Sequence, residues 1–155
     1  MVDIVSPKTR SRMMSGIKGK DTKPEIIIRK ELHARGYRYK LHDKKLAGRP
    51  DLVLPKYMAV IFINGCFWHG HDCHLFKWPE SRKDFWHKKI SSTQKRDLET
   101  RVAFSYTDWR QLIVWECAIK GKYRIPLKLL VNEIEDWLSG KSDVQEITNM
   151  ANRSK

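Results

Sequence analysis

Apolar residues recur at helical spacing in two stretches of the chain, and a third stretch is polar but long. The first opens with Thr22 and carries Glu25 three residues later, which predicts a capping box at a helix start. Gly36 predicts the end of that helix. The same spacing over 126–138 predicts a terminal helix, and 81–105 has the length of one long helix or two shorter ones.

Shorter apolar or alternating runs predict strands between these helices. The run 37–41 alternates as a half-exposed strand does, 51–54 is apolar, and 57–63 is almost wholly apolar and β-branched. The run 111–115 predicts another buried strand, and the polar residues after position 139 predict a frayed C-terminal tail. This order of elements predicts an α/β fold, a mixed sheet flanked by helices.

The composition limits the class of protein. The chain has 155 residues, of which 41% are hydrophobic and 32% charged, which fits one globular domain and excludes a disordered tail. No apolar run approaches the roughly 18 residues of a membrane span, and the N-terminus lacks a signal-peptide hydrophobic region. Three cysteines cannot all pair, which argues against a secreted disulfide scaffold.

Positive charge is concentrated near the N-terminus. The net charge is +13, and the first 50 residues hold 14 basic and 5 acidic side chains, a net +9. Residues 1–20 form a basic arm whose cations are Lys8, Arg10, Arg12, Lys18 and Lys20. A nucleic acid is the first candidate partner. A basic, well-solvated surface is the alternative, and charge alone does not separate the two.

Metal-binding residue types cluster after the strand 57–63. Cys66 and Cys73 bracket His71, and Cys117 follows the strand 111–115. If the two strands are neighbours, the three cysteines meet at one end of the sheet, and His71 completes a Cys3His tetrahedron typical of zinc. The alternative is three small buried hydrophobic residues beside loop histidines.

Other residues in or near this cluster are candidates for proton transfer, Mg²⁺ binding and contact with bases. His69 is free to act as a proton acceptor if His71 binds the metal, although it is also an alternative ligand. Asp51, after Gly48-Arg49-Pro50, could bind Mg²⁺ at a strand start, or simply form a turn. Phe67 and Trp68, with Trp86, could enter a base stack. From the residue types alone, packing of the loop is the better interpretation of these aromatic residues.

Five short strings in the chain together carry a family resemblance. They are Gly48-Arg49-Pro50-Asp51, Gly65-Cys66-Phe67-Trp68-His69, His71-Asp72-Cys73, Arg96-Asp97 and Val114-Trp115-Glu116-Cys117-Ala118. In one register from Thr9 to Trp137, the chain resembles the very short patch repair (Vsr) DNA mismatch endonucleases. The resemblance implies a restriction-endonuclease-like fold and a nick 5′ to the thymine of T·G mismatches, which arise when 5-methylcytosine deaminates. Such a nick initiates very short patch repair.

The resemblance also implies roles for individual residues. It implies one structural Zn²⁺ on Cys66, His71, Cys73 and Cys117. It implies catalytic Mg²⁺, two ions, held by Asp51 and by the main-chain carbonyl of Ile63. His69 corresponds to a general base, Asp97 to a group that orients it, and Glu25 to an acidic residue at the edge of the active site.

DNA contacts follow from the same resemblance. Phe67, Trp68 and Trp86 correspond to an aromatic wedge beside the mismatch, and Met14 and Ile17 to apolar positions of an arm that grips the minor groove. The chain departs from the family at Asn64, where a histidine is usual. No Asp/Glu-x-Lys follows on the strand 57–63, which gives a physical reason for a histidine base.

These expectations divide the chain into the arm 1–20, an endonuclease domain 21–138 and a polar tail 139–155. We expect a monomer in the bacterial cytoplasm, associated with the nucleoid, with mismatched double-stranded DNA and other mismatch-repair proteins as partners and no membrane. Two alternatives remain from the residues. One is a zinc-stabilised DNA-binding module without nuclease activity, and the other is a related nuclease that cuts intact duplex.

Overall fold

The computed structural model describes residues 21–142 and 144–153. Its α-helices are α1 (Lys23–Ala34), α2 (Lys83–Ser105), α3 (Leu127–Leu138) and α4 (Met150–Arg153). Its strands are β1 (Lys40–Leu41), β2 (Leu52–Leu54), β3 (Ala59–Asn64), β4 (Arg110–Trp115) and β5 (Glu146–Ile147). Within these ranges no helix combines the length and the apolar character that crossing a membrane demands.

The five strands form one mixed sheet in the order β1-β2-β3-β4-β5. The first three strands pair antiparallel, whereas β3–β4 and β4–β5 pair parallel. The longest ladder joins β3 to β4 and ends at the pair Asn64–Trp115. The prediction that the strands 57–63 and 111–115 are neighbours in the sheet is therefore confirmed. Because they are parallel, their carboxyl ends lie at the same edge of the sheet.

Helices cover both faces of this sheet. On one face α1 and α3 bury Ile28, Leu32, Leu130 and Ile134 against alternate residues of β2, β3 and β4. On the other face, Phe104 of α2 packs on the side chains that point the opposite way, such as those of β2 and β3. Because successive strand residues face opposite sides, apolar runs on both faces fit a sheet buried between helices. The predicted α/β class is confirmed.

Two details of the N-terminal prediction are wrong. Thr22 makes no side-chain hydrogen bond to the start of α1, so no capping box forms. Glu25 instead accepts a hydrogen bond from the backbone N–H of Asp21 at 3.1 Å, because its carboxylate is also held by Arg29 and His42. The run 37–41 is a strand only at Lys40–Leu41, since β2 is short and offers few residues for pairing.

The prediction of a frayed C-terminal end is wrong for residues 146–153. Glu146–Ile147 pairs with Ile113–Val114 as the fifth strand, and α4 follows. The Ile147 side chain is fully buried among the apolar residues of the main core. A single buried isoleucine in a polar stretch creates no periodic pattern that would predict a strand. The strand forms because the open edge of β4 offers backbone groups with which β5 can pair.

Candidate active site and metal centre

Asp51 stands immediately before β2 at the carboxyl-end edge of β3. Its Oδ2 accepts a hydrogen bond from the backbone N–H of Ile63 at 2.7 Å, so the neighbouring strand fixes the carboxylate. Gly48, two residues before Pro50, has a φ of +70°, and a Cβ there would lie 2.6 Å from the Thr100 side chain. The Gly-Arg-Pro-Asp loop therefore requires glycine for its close approach to α2.

The environment of Asp51 disfavours its charged form. Burial and, to a smaller extent, the Glu25 carboxylate raise the pKa of Asp51 to about 7, against the opposing effect of the Ile63 N–H. Glu25 is itself only 1% exposed. Its Oε2 lies 2.7 Å from Arg29 Nη1 and 2.7 Å from His42 Nε2. The site thus brings the carboxylates of Asp51 and Glu25 together, and Arg29 and His42 contact the carboxylate of Glu25.

His69 and Asp97 form a second pair in the same cleft. Asp97 lies on α2, and its Oδ2 is 2.6 Å from Nδ1 of His69, on the loop after β3. This contact favours the tautomer with the proton on Nδ1, which leaves Nε2 as an acceptor. A cleft of about 960 Å³ is lined by Asp51, Ile63, Asn64, His69 and Asp97. The expected active-site residues therefore share one cavity, with Glu25 behind Asp51.

Cys66, His71, Cys73 and Cys117 form a compact group that could hold a metal ion. Their ligand atoms all lie within 4.8 Å of one another. Nδ1 of His71 is 3.6 Å from Sγ of Cys66 and 3.6 Å from Sγ of Cys117. Two ligands at the usual Zn–S and Zn–N bond lengths of a tetrahedron are about 3.6 Å apart. The spacing of His71 from these two cysteines therefore fits a tetrahedral metal, and the four ligand atoms lie close enough together to surround one ion.

The contact between the Cys66 and Cys117 thiols raises the pKa of Cys66 and lowers that of Cys117, so this pair favours one thiol and one thiolate. Hydrogen bonds from Cys66, His71 and Thr148, in that order of effect, lower the pKa of Cys117 to about 3 against the opposing effect of burial. The His71 ring stacks on Trp115 with centroids 4.0 Å apart and planes 9° apart, which fixes its orientation. The β5 segment thus supports the centre through Thr148, whose Oγ1 is 3.4 Å from Sγ of Cys117.

Three of the expected DNA-contacting aromatic residues form a cluster beside the metal centre. The Phe67 ring lies 5.2 Å from Trp68 and 5.2 Å from Trp86, and the two tryptophans are 5.9 Å apart. All three side chains are only partly buried. The three rings therefore pack on one another and also leave part of their surface accessible to a ligand.

Some residues of the site were not anticipated from the sequence. His42 contacts Glu25, and its backbone N–H donates to the carbonyl of Asp51 at 3.3 Å. Glu116 accepts the backbone N–H of Cys66 at 3.2 Å and so ties the metal loop to the end of β4. His42 precedes the Gly-Arg-Pro-Asp string by six residues, and that proximity is the only sequence signal. Met14, Ile17 and the basic arm lie outside the described residues.

Comparison with known proteins finds one family model and several relatives whose names describe DNA endonucleases or nicking enzymes. The family model "DNA mismatch endonuclease Vsr" matches residues 2–75. The type II nicking enzyme V.NmeAIP of Neisseria meningitidis is 43% identical over 138 residues, 88% of this chain and 99% of that protein. The type II nicking enzyme V.XorIIP of Xanthomonas oryzae is 42% identical over 119 residues, 77% of this chain and 88% of that protein. The DNA mismatch endonuclease Vsr of Escherichia coli is 38% identical over 147 residues, 95% of this chain and 94% of that protein.

The match to the Escherichia coli endonuclease covers 95% of this chain, so it extends through β4 and Cys117, which lie beyond the residues 2–75 that the family model matches. Identity of this degree over nearly the full length of both chains leaves no other family to consider. The chain belongs to the Vsr family of DNA mismatch endonucleases.

Proposed function

We propose that this protein is a Mg²⁺-dependent endonuclease that nicks DNA 5′ to the thymine of a T·G mismatch. Such mismatches arise from deamination of 5-methylcytosine, and the nick initiates very short patch repair. The observation that carries the proposal is one cleft that holds Asp51 and the His69–Asp97 pair, close in the chain to the aromatic residues Phe67 and Trp68.

The carboxyl group of Asp51 and the main-chain carbonyl of Ile63 are the residues that would hold Mg²⁺. Both offer hard oxygen ligands, as Mg²⁺ prefers. The fit is supported by electrostatics, because burial and Glu25 raise the pKa of Asp51 to about 7 and a cation would relieve that cost. When bound, Mg²⁺ supplies charge stabilisation at the scissile phosphate and at the leaving 3′ oxygen. The resemblance to the family suggests two ions.

His69 would accept the proton of the attacking water through Nε2. Asp97 holds Nδ1 at 2.6 Å, orients the ring toward the cleft and stabilises the imidazolium that forms. No lysine occurs on β3, so the lysine found in many restriction enzymes is not available for this step. Asn64 is 8% exposed and lines the cleft, where its amide can position a water but cannot accept the proton.

Recognition of the mismatch belongs to other residues. Phe67, Trp68 and Trp86 would enter the stack beside the mismatch and so present the distorted phosphate to Asp51. The basic arm 1–20, with Met14 and Ile17, would grip the minor groove. A T·G pair is easier to unstack than a matched pair, so wedge insertion itself provides discrimination.

We assign Zn²⁺ to the group Cys66, His71, Cys73 and Cys117, in a structural role. Four protein ligands fill a tetrahedron and leave no open position for substrate. The ion would hold the aromatic loop and the end of β4 in a fixed relation. We further propose that the protein acts as a monomer at the bacterial nucleoid, in the cytoplasm, together with other mismatch-repair proteins.

Nicking of matched and T·G duplexes separates this proposal from its alternatives. A labelled duplex with one T·G pair should be nicked only with Mg²⁺ and only on the thymine strand, and the matched duplex should stay intact. A DNA-binding module without nuclease activity would nick neither duplex. A nuclease for intact DNA would cut both. Neither alternative explains the His69–Asp97 pair beside a fixed Asp51 together with the partly exposed rings of Phe67 and Trp68.

A further inference from the structure

A second exposed aromatic pair lies outside the aromatic cluster assigned to the wedge. The rings of Trp78 and His87 stack with centroids 4.0 Å apart and planes 17° apart. Trp78 is 41% exposed, and the His87 side chain is also exposed. Trp78 belongs to none of the hydrophobic clusters that the described residues form. Its position is therefore fixed by stacking rather than by burial in the core.

The Trp78–His87 stack is continuous with the wedge residues. Phe76 contacts Trp78 at 5.0 Å and Phe67 at 6.0 Å. Trp78 consequently lies within about 11 Å of Phe67. With a rise of about 3.4 Å per base step, that upper limit corresponds to at most about three steps. A duplex that receives the wedge must pass close to this stack.

Charge around the stack matches a polyanion. Between positions 77 and 89 the exposed cations are Lys77, Arg82, Lys83, Lys88 and Lys89, against the two acids Glu80 and Asp84. The guanidinium of Arg82 lies 4.2 Å over the ring of Phe85, which is 40% exposed. Aromatic rings interleaved with cations form the usual surface for a nucleic-acid strand, where rings receive bases and cations receive phosphates.

We propose that Trp78 and His87 form a second DNA-contact surface, which receives a nucleotide of the flanking DNA within about three base steps of the wedge. The base or sugar of that nucleotide contacts the exposed stack, and the nearby cations receive its phosphates. The surface adds affinity for the flank and no preference for the mismatch, because the contacted nucleotide lies outside the T·G pair. This inference rests on the proposed function, which brings DNA to the wedge.

Three single variants test the surface. Trp78→Ala removes the stack, Trp68→Ala removes a wedge ring, and Tyr106→Ala removes a ring that is 87% exposed at the far end of α2. Dissociation constants are measured by fluorescence anisotropy for T·G and matched duplexes of equal length. We expect Trp78→Ala to weaken binding to both duplexes about 10-fold, which lies within the range for the loss of one stacking contact with a base. The T·G preference should stay, whereas Trp68→Ala should lose it and Tyr106→Ala should change neither.

Abasic scanning locates the nucleotide. An abasic site is placed at each of the first five flanking positions on either strand of the T·G duplex. In the wild type, an abasic site at one position within the first three steps should weaken binding, and in Trp78→Ala that same position should add no further loss. Additive losses at every position, or a Trp78→Ala affinity within two-fold of wild type, would overturn the proposal.

Two controls keep the result decisive. Melting temperature and metal content are measured for each variant. If Trp78→Ala lowers the melting temperature, His87→Ala tests the same stack by removing only an exposed ring, and wild-type affinity of this variant would refute the surface. If wild-type protein shows no T·G preference, the proposed function fails by itself. A Trp78-dependent affinity for any duplex would still support the second contact.

Discussion

Replacing Asp51 with asparagine should stabilise the protein at pH 8 when Mg²⁺ is absent. Asparagine keeps the shape of the side chain, and its Oδ1 can still accept the Ile63 N–H that Asp51 accepts at 2.7 Å. The substitution removes one of two carboxylates from a buried site that also contains Glu25. Without a bound cation, the negative charge of Asp51 therefore destabilises the folded protein. A cation bound between these oxygens would offset that cost.

The size of the effect follows from the pKa. Burial, together with Glu25, raises the pKa of Asp51 from 3.8 to about 7. A shift of about 3 units at 1.36 kcal/mol per unit corresponds to about 4 kcal/mol. Below pH 4 the group is protonated in both states and costs nothing. As the pH rises, the folded state holds its proton until about pH 7, so the wild type loses stability relative to Asp51→Asn.

Urea unfolding of both proteins from pH 5 to pH 8 measures this difference. The buffers contain no Mg²⁺ and no strong chelator, so that a metal bound to the Cys3His group would not be removed. The stability advantage of Asp51→Asn should grow by about 2–3 kcal/mol over this range. Added Mg²⁺ should stabilise the wild type and leave Asp51→Asn unchanged. A difference that is constant with pH would refute the electrostatic account of Asp51.

Other predictions test the remaining parts of the site. Cys117→Ala should lower the metal content and unfold the protein, because binding at this centre contributes to folding; a folded, zinc-free wild type by metal analysis would contradict the assignment. Deletion of residues 1–20 should weaken DNA binding and flatten its dependence on salt, since about one counterion is released per phosphate contact; an unchanged slope would count against the arm. His69→Ala should reduce single-turnover nicking by roughly 10²–10⁴-fold, as expected for a general base, and Asp97→Asn should cause a smaller loss with an altered pH profile. Equal activity of His69→Ala and the wild type would exclude a role as base.

The sheet and the Cys3His group could be predicted because short-range patterns encode them. The apolar run of β3 identifies a buried strand, and its parallel neighbour β4 brings Cys117 to the same edge as Cys66. Cysteine and histidine have few other reasons to occur together at the ends of neighbouring strands. The pairing of His69 with Asp97 followed only from the family resemblance, since 28 residues separate the two.

Long-range contacts explain what could not be predicted. β5 is a strand because β4 presents an open edge and because Ile147 fills a core position, and neither fact is visible in a polar stretch. Glu25 resembles a capping residue from local spacing, but Arg29 and His42 hold its carboxylate beside Asp51. Local propensity was overridden in both places by tertiary contacts.

Strand-specific nicking by wild-type protein and Asp51→Ala is the most direct test of the central claim. Single-turnover rates are measured with Mg²⁺ on T·G and matched duplexes, together with mismatch binding and zinc content. The account predicts that the wild type nicks only the thymine strand of the T·G duplex. Asp51→Ala should lose nicking by orders of magnitude while it retains mismatch binding and zinc. Normal nicking by Asp51→Ala, or equal nicking of matched and T·G duplexes by the wild type, would contradict the account.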